Sequence, residues 1–379
     1  MKNLFRTKRS LAARLALTAT ALAIIVVLLG AYTRLKDAGL GCPDWPGCYG
    51  QLQVPHTDAQ LQRATLAFPQ QTVEQNKAWP EMLHRYAAGT LATFSILLAL
   101  LIYRRPLRKG RSLVAALCLI GLILFQALLG MWTVTLLLYP PIVMGHLLAG
   151  MTLTAVLWWL AIDLNHFFSD AQTIHIINPA YLTPTQSNMP ITLSSLSSST
   201  PHHSRLRIAA TVALAILALQ IALGAWTSAN YAGPSCPDFP ACQGSMLPKI
   251  DMAKGFNLAV PLGNNFQGGV LDNAGRMAIH IIHRLGAFMT LLVVGGLSAW
   301  LIRFARNTTL KAIGIIIALL LLGQISLGIS LVLFQFPLPL GVMHNGMALL
   351  LLLSLVTLNA YLYQTKHYSL TPVPGRLYD

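Results

Sequence analysis

Eight long apolar runs constrain the fold of this chain more than any other feature of its sequence. Each run holds roughly the 20 residues that a helix needs to cross a hydrocarbon core of about 30 Å. The runs are continuous rather than alternating, which argues against the strands of a membrane β-barrel. We therefore predict eight transmembrane helices, numbered here as spans 1 to 8. The runs cover residues 14–33, 82–102, 112–137, 142–164, 207–229, 277–301, 309–335 and 341–363.

The composition agrees with a membrane location and argues against soluble folds. A chain of 379 residues is long enough for two or three soluble domains, but only 10% of its residues are charged, against about 25% in soluble domains. Hydrophobic residues make up 55% of the chain, and the mean hydropathy is +0.60. Because so few charges cannot cover a soluble surface, we predict an all-α polytopic membrane protein in contact with lipid.

The net charge of +15 reflects topology rather than a nucleic-acid partner. Lys and Arg residues cluster before span 1, between spans 2 and 3, between spans 6 and 7 and after span 8, whereas most Asp and Glu residues lie in the other loops. Loops rich in Lys and Arg stay in the cytoplasm. We therefore predict that both termini are cytoplasmic and that the acidic loops lie outside.

The second half of the chain repeats the first. The motif Gly-Ala-Tyr-Thr at 30–33 recurs as Gly-Ala-Trp-Thr at 224–227, and the motif Cys-Pro-Asp-x-Pro-x-Cys occurs at 42–48 and again at 236–242. Further matches follow at offsets of 198 or 199 residues. They pair His84 with His283, Arg85 with Arg284, Gln126 with Gln324, Gly130 with Gly328 and His146 with His344.

This repeat predicts the domain organisation. Each half holds four spans, an even number, so both halves enter the membrane in the same direction and form a parallel repeat. We predict two pseudo-symmetric antiparallel four-helix bundles, residues 1–164 and 207–379. Residues 165–206 are rich in Ser, Thr and Pro, which is typical of a linker, here on the cytoplasmic side.

Four histidines in the spans are the main candidates for function, because ionisable side chains in a bilayer are costly and are usually functional. His84 and His146 lie near the outer ends of spans 2 and 4, and His283 and His344 repeat this arrangement on spans 6 and 8. Two helices that each offer an imidazole at one level can hold a haem edge-on. The alternative is that each histidine caps a helix or bonds a neighbouring residue, and four matched positions favour metal or haem over it. Zinc is disfavoured because a bare pair supplies too few ligands.

An arginine follows the first histidine of each pair. Arg85 and Arg284 lie near the outer interface, where a guanidinium could bind a haem propionate through charge-assisted hydrogen bonds. A snorkelling arginine that reaches the lipid headgroups explains the same position. The sequence leaves both interpretations open.

Glu81 distinguishes the two halves. It lies three residues before His84 and therefore shares its helix face, whereas the matching position in the second half is His280. A carboxylate beside a haem edge can accept protons or stabilise positive charge. An acid in the first turn of a helix is the alternative, favoured by the macrodipole. The asymmetry favours chemistry in the first half and a permanent cofactor in the second.

Each outer loop carries two cysteines six residues apart. Cys42 and Cys48 in the first half, and Cys236 and Cys242 in the second, face the side where disulfides persist. We predict a disulfide in each loop. The second is interpreted as structural. For the first, a structural and a redox-active role both remain open, because short exposed loops favour labile disulfides.

These features together resemble the haem A synthase family, of the bacterial CtaA type, over nearly the whole chain. The resemblance rests on the eight spans, the fourfold set of histidines, Glu81-x-x-His84-Arg85 and the paired cysteine loops. It implies an oxidoreductase that converts the C8 methyl group of haem O into a formyl group by successive hydroxylations. The product, haem A, serves cytochrome c oxidase, and the location is a bacterial inner membrane with periplasmic cysteine loops.

The resemblance also implies roles for individual residues. His84 and His146 would bind the iron of the substrate haem O, and His283 and His344 that of a haem b cofactor. The family's functional glutamate corresponds to Glu81, its functional cysteines to Cys42 and Cys48, and its structural pair to Cys236 and Cys242. Expected partners are haem O synthase (protohaem farnesyltransferase) and, without direct support, a second copy of the chain.

Two rival functions follow from the same sequence. A non-catalytic membrane carrier of electrons with two b-type haems would use all four histidines but would need no special acid at Glu81. A transporter would also account for a parallel repeat. It would, however, require helices broken at mid-membrane, whereas the spans here read as continuous.

Overall fold

A computed structural model describes residues 10–104, 109–165 and 201–368 of the chain. The described residues form ten α-helices and no β-strand, apart from two isolated bridges. The predicted all-α class is therefore confirmed. The helices are α1 (Leu11–Leu35), α2 (Asp58–Ala67), α3 (Gln75–Tyr103), α4 (Lys109–Thr135), α5 (Pro140–Asn165), α6 (Pro201–Ala229), α7 (Met252–Gly255), α8 (Asn273–Phe304), α9 (Thr308–Leu333) and α10 (Leu338–Tyr368).

Eight of these helices are long and apolar enough to cross a membrane, which confirms the eight predicted spans. They are α1, α3, α4, α5, α6, α8, α9 and α10. Large apolar side chains also cover their outer surfaces, as Leu219 and Leu319 show with 62% and 65% of their surface exposed. Such exposure would be costly in water and is favourable in lipid. The chain is a multi-pass membrane protein.

Two helices start more than four residues before the predicted run. The helix α3 begins at Gln75, seven residues before the apolar run, because its first turns are polar and hydropathy does not detect them. Glu81 consequently lies well inside α3 rather than in its first turn. The helix α6 begins at Pro201, within the predicted linker, whose residues 166–200 lie outside the described part of the chain.

Helix ends follow ordinary capping rules. Thr57 and Gln60 form a reciprocal capping box at the start of α2, in which each side chain accepts from the other residue's backbone N–H. The Asp272 side chain accepts from the N–H of Gly275 at the start of α8. At the start of α9, Asn307 caps two N–H groups in the same way.

The helices of each half pack in a closed sequence of neighbours. In the first half α1 contacts α3 and α5, and α4 contacts α3 and α5; in the second half α6 contacts α8 and α10, and α9 contacts α8 and α10. Each half has its own buried apolar cluster between these helices. The first includes Ala16, Leu98, Leu119 and Leu157, and the second Leu217, Val294, Ile317 and Leu355.

The internal repeat extends to the backbone conformation. Non-glycine residues with positive φ occur in matched pairs, at Asp37 and Tyr231, Tyr49 and Gln243, Leu137 and Gln335, and Leu138 and Phe336. Because such angles are uncommon outside glycine, four matched pairs indicate that the corresponding turns have the same shape. The disulfide loops share a bridge as well, between residues 48 and 51 and between residues 242 and 245.

The two halves meet through corresponding residues. Arg34 donates to the carbonyl of Ser228 at 2.5 Å, and Tyr231 donates to Asp37 Oδ1 at 2.5 Å; each partner lies at the matching repeat position. The helix contacts are reciprocal too, since α1 contacts α10, α5 contacts α6, and α5 contacts α10. A twofold relation would produce this pattern. The pseudo-symmetry of the bundles nevertheless stays a prediction.

Candidate functional site

A cavity of about 850 Å³ lies among the helices of the first half, a volume that suits a cofactor-sized ligand. Helices α1, α3, α4 and α5 form most of its wall, and residues of α6 and α10 complete the wall where the halves meet. The wall is largely apolar, with a few polar groups. Four predicted site residues lie on this wall: Glu81, His84, Arg85 and His146.

The rings of His84 and His146 lie beside each other in the wall of this cavity. Their centroids are 6.2 Å apart, and their planes are inclined by 85°. Two imidazoles that bind one ion from opposite sides have centroids about 6 Å apart, because each metal–nitrogen bond is about 2 Å long. The separation of the two rings is therefore compatible with one metal ion between them.

A backbone contact fixes the orientation of His84. Its Nδ1 lies 3.1 Å from the carbonyl oxygen of Val26 on α1. Because a carbonyl can only accept, Nδ1 carries the proton and Nε2 keeps its lone pair for a metal. Such a contact is typical of a metal-binding histidine.

The second half places His283 and His344 on α8 and α10, each against a side-chain amide. Gln220 Nε2 lies 3.1 Å from His283 Nδ1, and Gln324 Nε2 lies 3.1 Å from His344 Nε2. Val26 and Gln220 occupy corresponding positions, so a backbone carbonyl in one half is replaced by an amide side chain in the other. An amide offers both a donor and an acceptor, so it can pair with a ring nitrogen whether or not that nitrogen carries the proton.

No group of three or more His, Cys, Asp or Glu side chains in the described ranges is arranged to hold a bare metal ion. Paired histidines alone suit a metal that arrives with its own equatorial ligands, as haem iron does. The donor set thus agrees with the expectation of haem rather than zinc.

Glu81 is buried between the cavity and the first cysteine loop, with 4% of its surface exposed. Its Oε2 accepts a hydrogen bond from the N–H of Cys42 at 2.9 Å, and its Oε1 accepts from Arg85 Nη2 at 2.5 Å. One carboxylate therefore connects the cavity wall to the loop. Its second-half counterpart, His280, is equally buried, and the centroid of its ring lies 6.3 Å from that of Phe336.

Arg85 and Arg284 hold the cysteine loops. Arg85 Nη1 donates to the carbonyls of Asp44, Pro46 and Gly47. Arg284 does the same in the second half through the carbonyls of Cys236, Asp238, Pro240 and Ala241. Neither snorkelling nor propionate binding describes these contacts, because loop carbonyls already accept from the guanidinium groups. A propionate contact stays a prediction. It would require the guanidinium N–H groups to donate to the propionate and to the loop carbonyls at once.

We expect Arg284→Gln to lower the free energy of unfolding by about 2 kcal/mol, since several charge-assisted hydrogen bonds to loop carbonyls, most of them partly buried, are lost. Thermal unfolding of the detergent-solubilised protein measures the change. Arg306→Gln serves as the control, because Arg306 is exposed in the short turn between α8 and α9. Equal stability of the two variants would contradict the clamping role.

Both cysteine pairs form disulfides, Cys42 with Cys48 and Cys236 with Cys242. An aspartate inside each loop accepts two backbone N–H bonds across the turn, Asp44 in the first loop and Asp238 in the second. The N–H groups of Gly244 and Gln243 hold the pKa of Asp238 below its ordinary value. A structural role and a redox-active role for the first disulfide both stay predictions.

The sequence interpretation assigned no role to Val26, Gln220 or Gln324. Val26 acts through its backbone, for which a sequence carries no signal. Gln324 was recognisable as a repeat match to Gln126, which donates to the carbonyl of His146 at 3.0 Å. That match was the available signal for a supporting role beside a histidine.

The fold and site define a class of helical membrane protein. Its sequence repeats, and each half carries two histidines at matching repeat positions and one disulfide loop. Comparison with known proteins gives the family. Residues 13–356 match the COX15-CtaA family, described as cytochrome oxidase assembly protein. The chain belongs to this family.

Several relatives of the chain are known as haem A synthases. The protein from Shewanella oneidensis is 41% identical over 340 residues, covering 90% of this chain and 93% of the relative. A relative from Maricaulis maris is 26% identical and one from Allorhizobium ampelinum 27% identical, each covering about nine-tenths of both chains. The similarity therefore extends through both halves.

Proposed function

We propose that this chain is a haem A synthase, an oxidoreductase that converts the C8 methyl group of haem O into a formyl group. The single observation that carries the proposal is the His84–His146 pair, whose ring centroids lie 6.2 Å apart in the wall of a cavity that Glu81 also lines. The family and the names of the relatives support the same activity.

The proposed reaction is a four-electron oxidation in which water supplies the oxygen. A methyl group and one water give a formyl group, four protons and four electrons, and an external electron acceptor takes up the electrons. The protein must orient the macrocycle, hold the reacting edge and remove protons. In this proposal His84 and His146 bind the substrate iron and so set the position of the macrocycle. The largely apolar wall limits water to the reacting edge.

Glu81 is the proposed acceptor of protons or stabiliser of positive charge. Its two oxygens are oriented by the Cys42 N–H and the Arg85 guanidinium, both of which donate hydrogen bonds to them. A carboxylate fixed in this way is available when positive charge develops at the oxidised carbon. Cys42 would then influence the chemistry through its backbone, whatever the redox role of the Cys42–Cys48 disulfide.

The second half is proposed to hold a permanent haem b, bound by His283 and His344. A bound haem b would supply one-electron redox chemistry, relaying electrons away from the substrate site. The absence of an acid at His280 supports a cofactor role for this half rather than a second reaction site.

The location proposed is the bacterial inner membrane, with cytoplasmic termini and periplasmic cysteine loops. The charge distribution supports it, because Arg104, Arg303, Arg306 and Lys311 lie at the ends of the helices away from these loops. Haem O is the proposed substrate, and haem O synthase the proposed supplier.

The test is pigment extraction from the purified protein after expression alongside a haem O synthase, followed by reversed-phase separation. Haem b together with haem A, haem O or a hydroxylated intermediate is expected. Haem b alone at two per chain would favour the electron carrier instead. A complete lack of haem would contradict the assignment of all four histidines.

A further inference from the structure

Four glycines that mark the internal repeat have no part in the proposed chemistry, yet each lies against one of the four histidines. An added Cβ at these positions would meet the Cε1 atom of the facing ring first. The pairs are Gly30 with His84, Gly130 with His146, Gly224 with His283, and Gly328 with His344. The same ring atom meets the same kind of residue at all four sites.

An added Cβ would crowd the facing ring at all four sites. A Cβ on Gly30 would lie 2.9 Å from His84 Cε1, closer than real Cβ atoms come to other groups. At the other three sites the distance would be 3.1 Å, so the ring would have to move by a few tenths of an ångström. Cε1 lies between the two ring nitrogens, so any such movement displaces the nitrogen that binds the metal.

The pairs follow the hairpin structure of the bundles. In every case the glycine lies on the first helix of an antiparallel pair and the histidine on the second: α1 with α3, α4 with α5, α6 with α8, and α9 with α10. The sequence around the glycine recurs as well. Residues 130–133, Gly-Met-Trp-Thr, resemble the motifs at 30–33 and 224–227.

We propose that these four glycines are positioning residues, which let a neighbouring helix backbone hold each iron-binding imidazole by its edge. Gly30 and Gly130 would set the geometry of the substrate haem, and Gly224 and Gly328 that of haem b. The inference rests on the proposed function for the presence of haem. A ring held between a helix backbone and an iron atom cannot turn freely, so the glycines would fix the angle between the two imidazole planes.

The test uses the full-length protein co-expressed with haem O synthase and compares four single glycine-to-alanine variants. Alanine favours a helix more than glycine does, so these changes should not impede folding. Gly121→Ala on α4 and Gly296→Ala on α8 are matched controls, because nothing lies within 4 Å of an added Cβ at either position. Haem retention against an apoprotein competitor and the electron paramagnetic resonance spectrum of the ferric protein are measured.

Gly30→Ala is expected to weaken retention of the substrate haem by about tenfold, the lower range for outer contacts of metal ligands. Its spectrum should shift only in the signal of that haem, since the g values of a low-spin ferric haem depend on the angle between the imidazole planes. Gly224→Ala should alter the haem b signal alone. Gly121→Ala and Gly296→Ala should match the unmodified protein.

Three results would overturn the inference. Unchanged spectra and retention in all four variants would show that the glycines serve helix packing only. Equal changes in the two control variants would also show that the effect is not specific to these glycines. So would a change in the haem signal of the half that does not contain the substituted glycine. If Gly30→Ala does not fold, Gly130→Ala tests the same site with a milder contact. An unmodified protein without haem would contradict the proposed function itself, and so the two failures are distinguishable.

Discussion

Glu81→Gln is expected to lower haem A formation by at least about 100-fold while both haems remain bound. The magnitude is that of losing a positioned proton acceptor. Glutamine has nearly the same size and can still accept from the Cys42 N–H, but it carries no charge and offers no strong base. Haem A, haem O and hydroxylated intermediates are quantified by reversed-phase separation, and haem occupancy is read from the absorption spectrum. Glu81→Ala should give the same block.

Two further variants separate chemistry from support of the loop. Glu81→Asp keeps a carboxylate but withdraws it by one methylene, and should retain more product formation than Glu81→Gln. His280→Gln changes the corresponding position in the second half, where no proton acceptor is proposed, and should leave most activity. Full activity in Glu81→Gln would remove the acid from the mechanism.

His84→Ala and His283→Ala are expected to empty different sites. Loss of His84 should abolish retention of haem O and haem A while haem b stays, because His283 and His344 lie in the other bundle. Loss of His283 should remove haem b and stop turnover, since the proposed electron relay is gone. Each change would delete one of the two imidazoles proposed to hold that haem, so the expected loss of the haem is nearly complete. Extracted pigments, counted per chain, measure both effects.

The outer-loop variant His56→Ala is the control, since His56 is exposed and far from the histidine pairs in sequence. It should keep the full pigment content. Loss of the same haem from both His84→Ala and His283→Ala would mean that the two histidines serve one site, and the division of labour between the halves would be wrong.

Much of the fold was predictable because hydropathy reports burial in lipid directly. All eight spans were located, since an apolar run of about 20 residues has few structural alternatives. The start of α3 was missed because its first helical residues, Gln75 to Pro80, lie outside the apolar run. Helix formation there depends on tertiary contacts. One such contact joins the Thr33 hydroxyl to the Pro80 carbonyl at 3.2 Å.

The site was predictable only where chemistry resides in a side chain and the repeat doubles the signal. The four histidines met both conditions. The carbonyl of Val26 met neither, and the function of Arg85 depends on which carbonyls lie nearby, which the chain order does not reveal. The glycines were visible as repeat markers, but their role requires the distance to a ring on another helix.

The likeness of the two disulfide loops has a consequence for how one gene could yield two different pockets. The loops share their positive φ positions, their aspartate-bound turns and their arginine contacts, so architecture does not distinguish a substrate pocket from a cofactor pocket. The side chains that line the first-half cavity differ from their counterparts, as Glu81 against His280, Val26 against Gln220 and Leu138 against Phe336 show. Such side chains, rather than the shared loop architecture, would account for a difference in what the two halves bind.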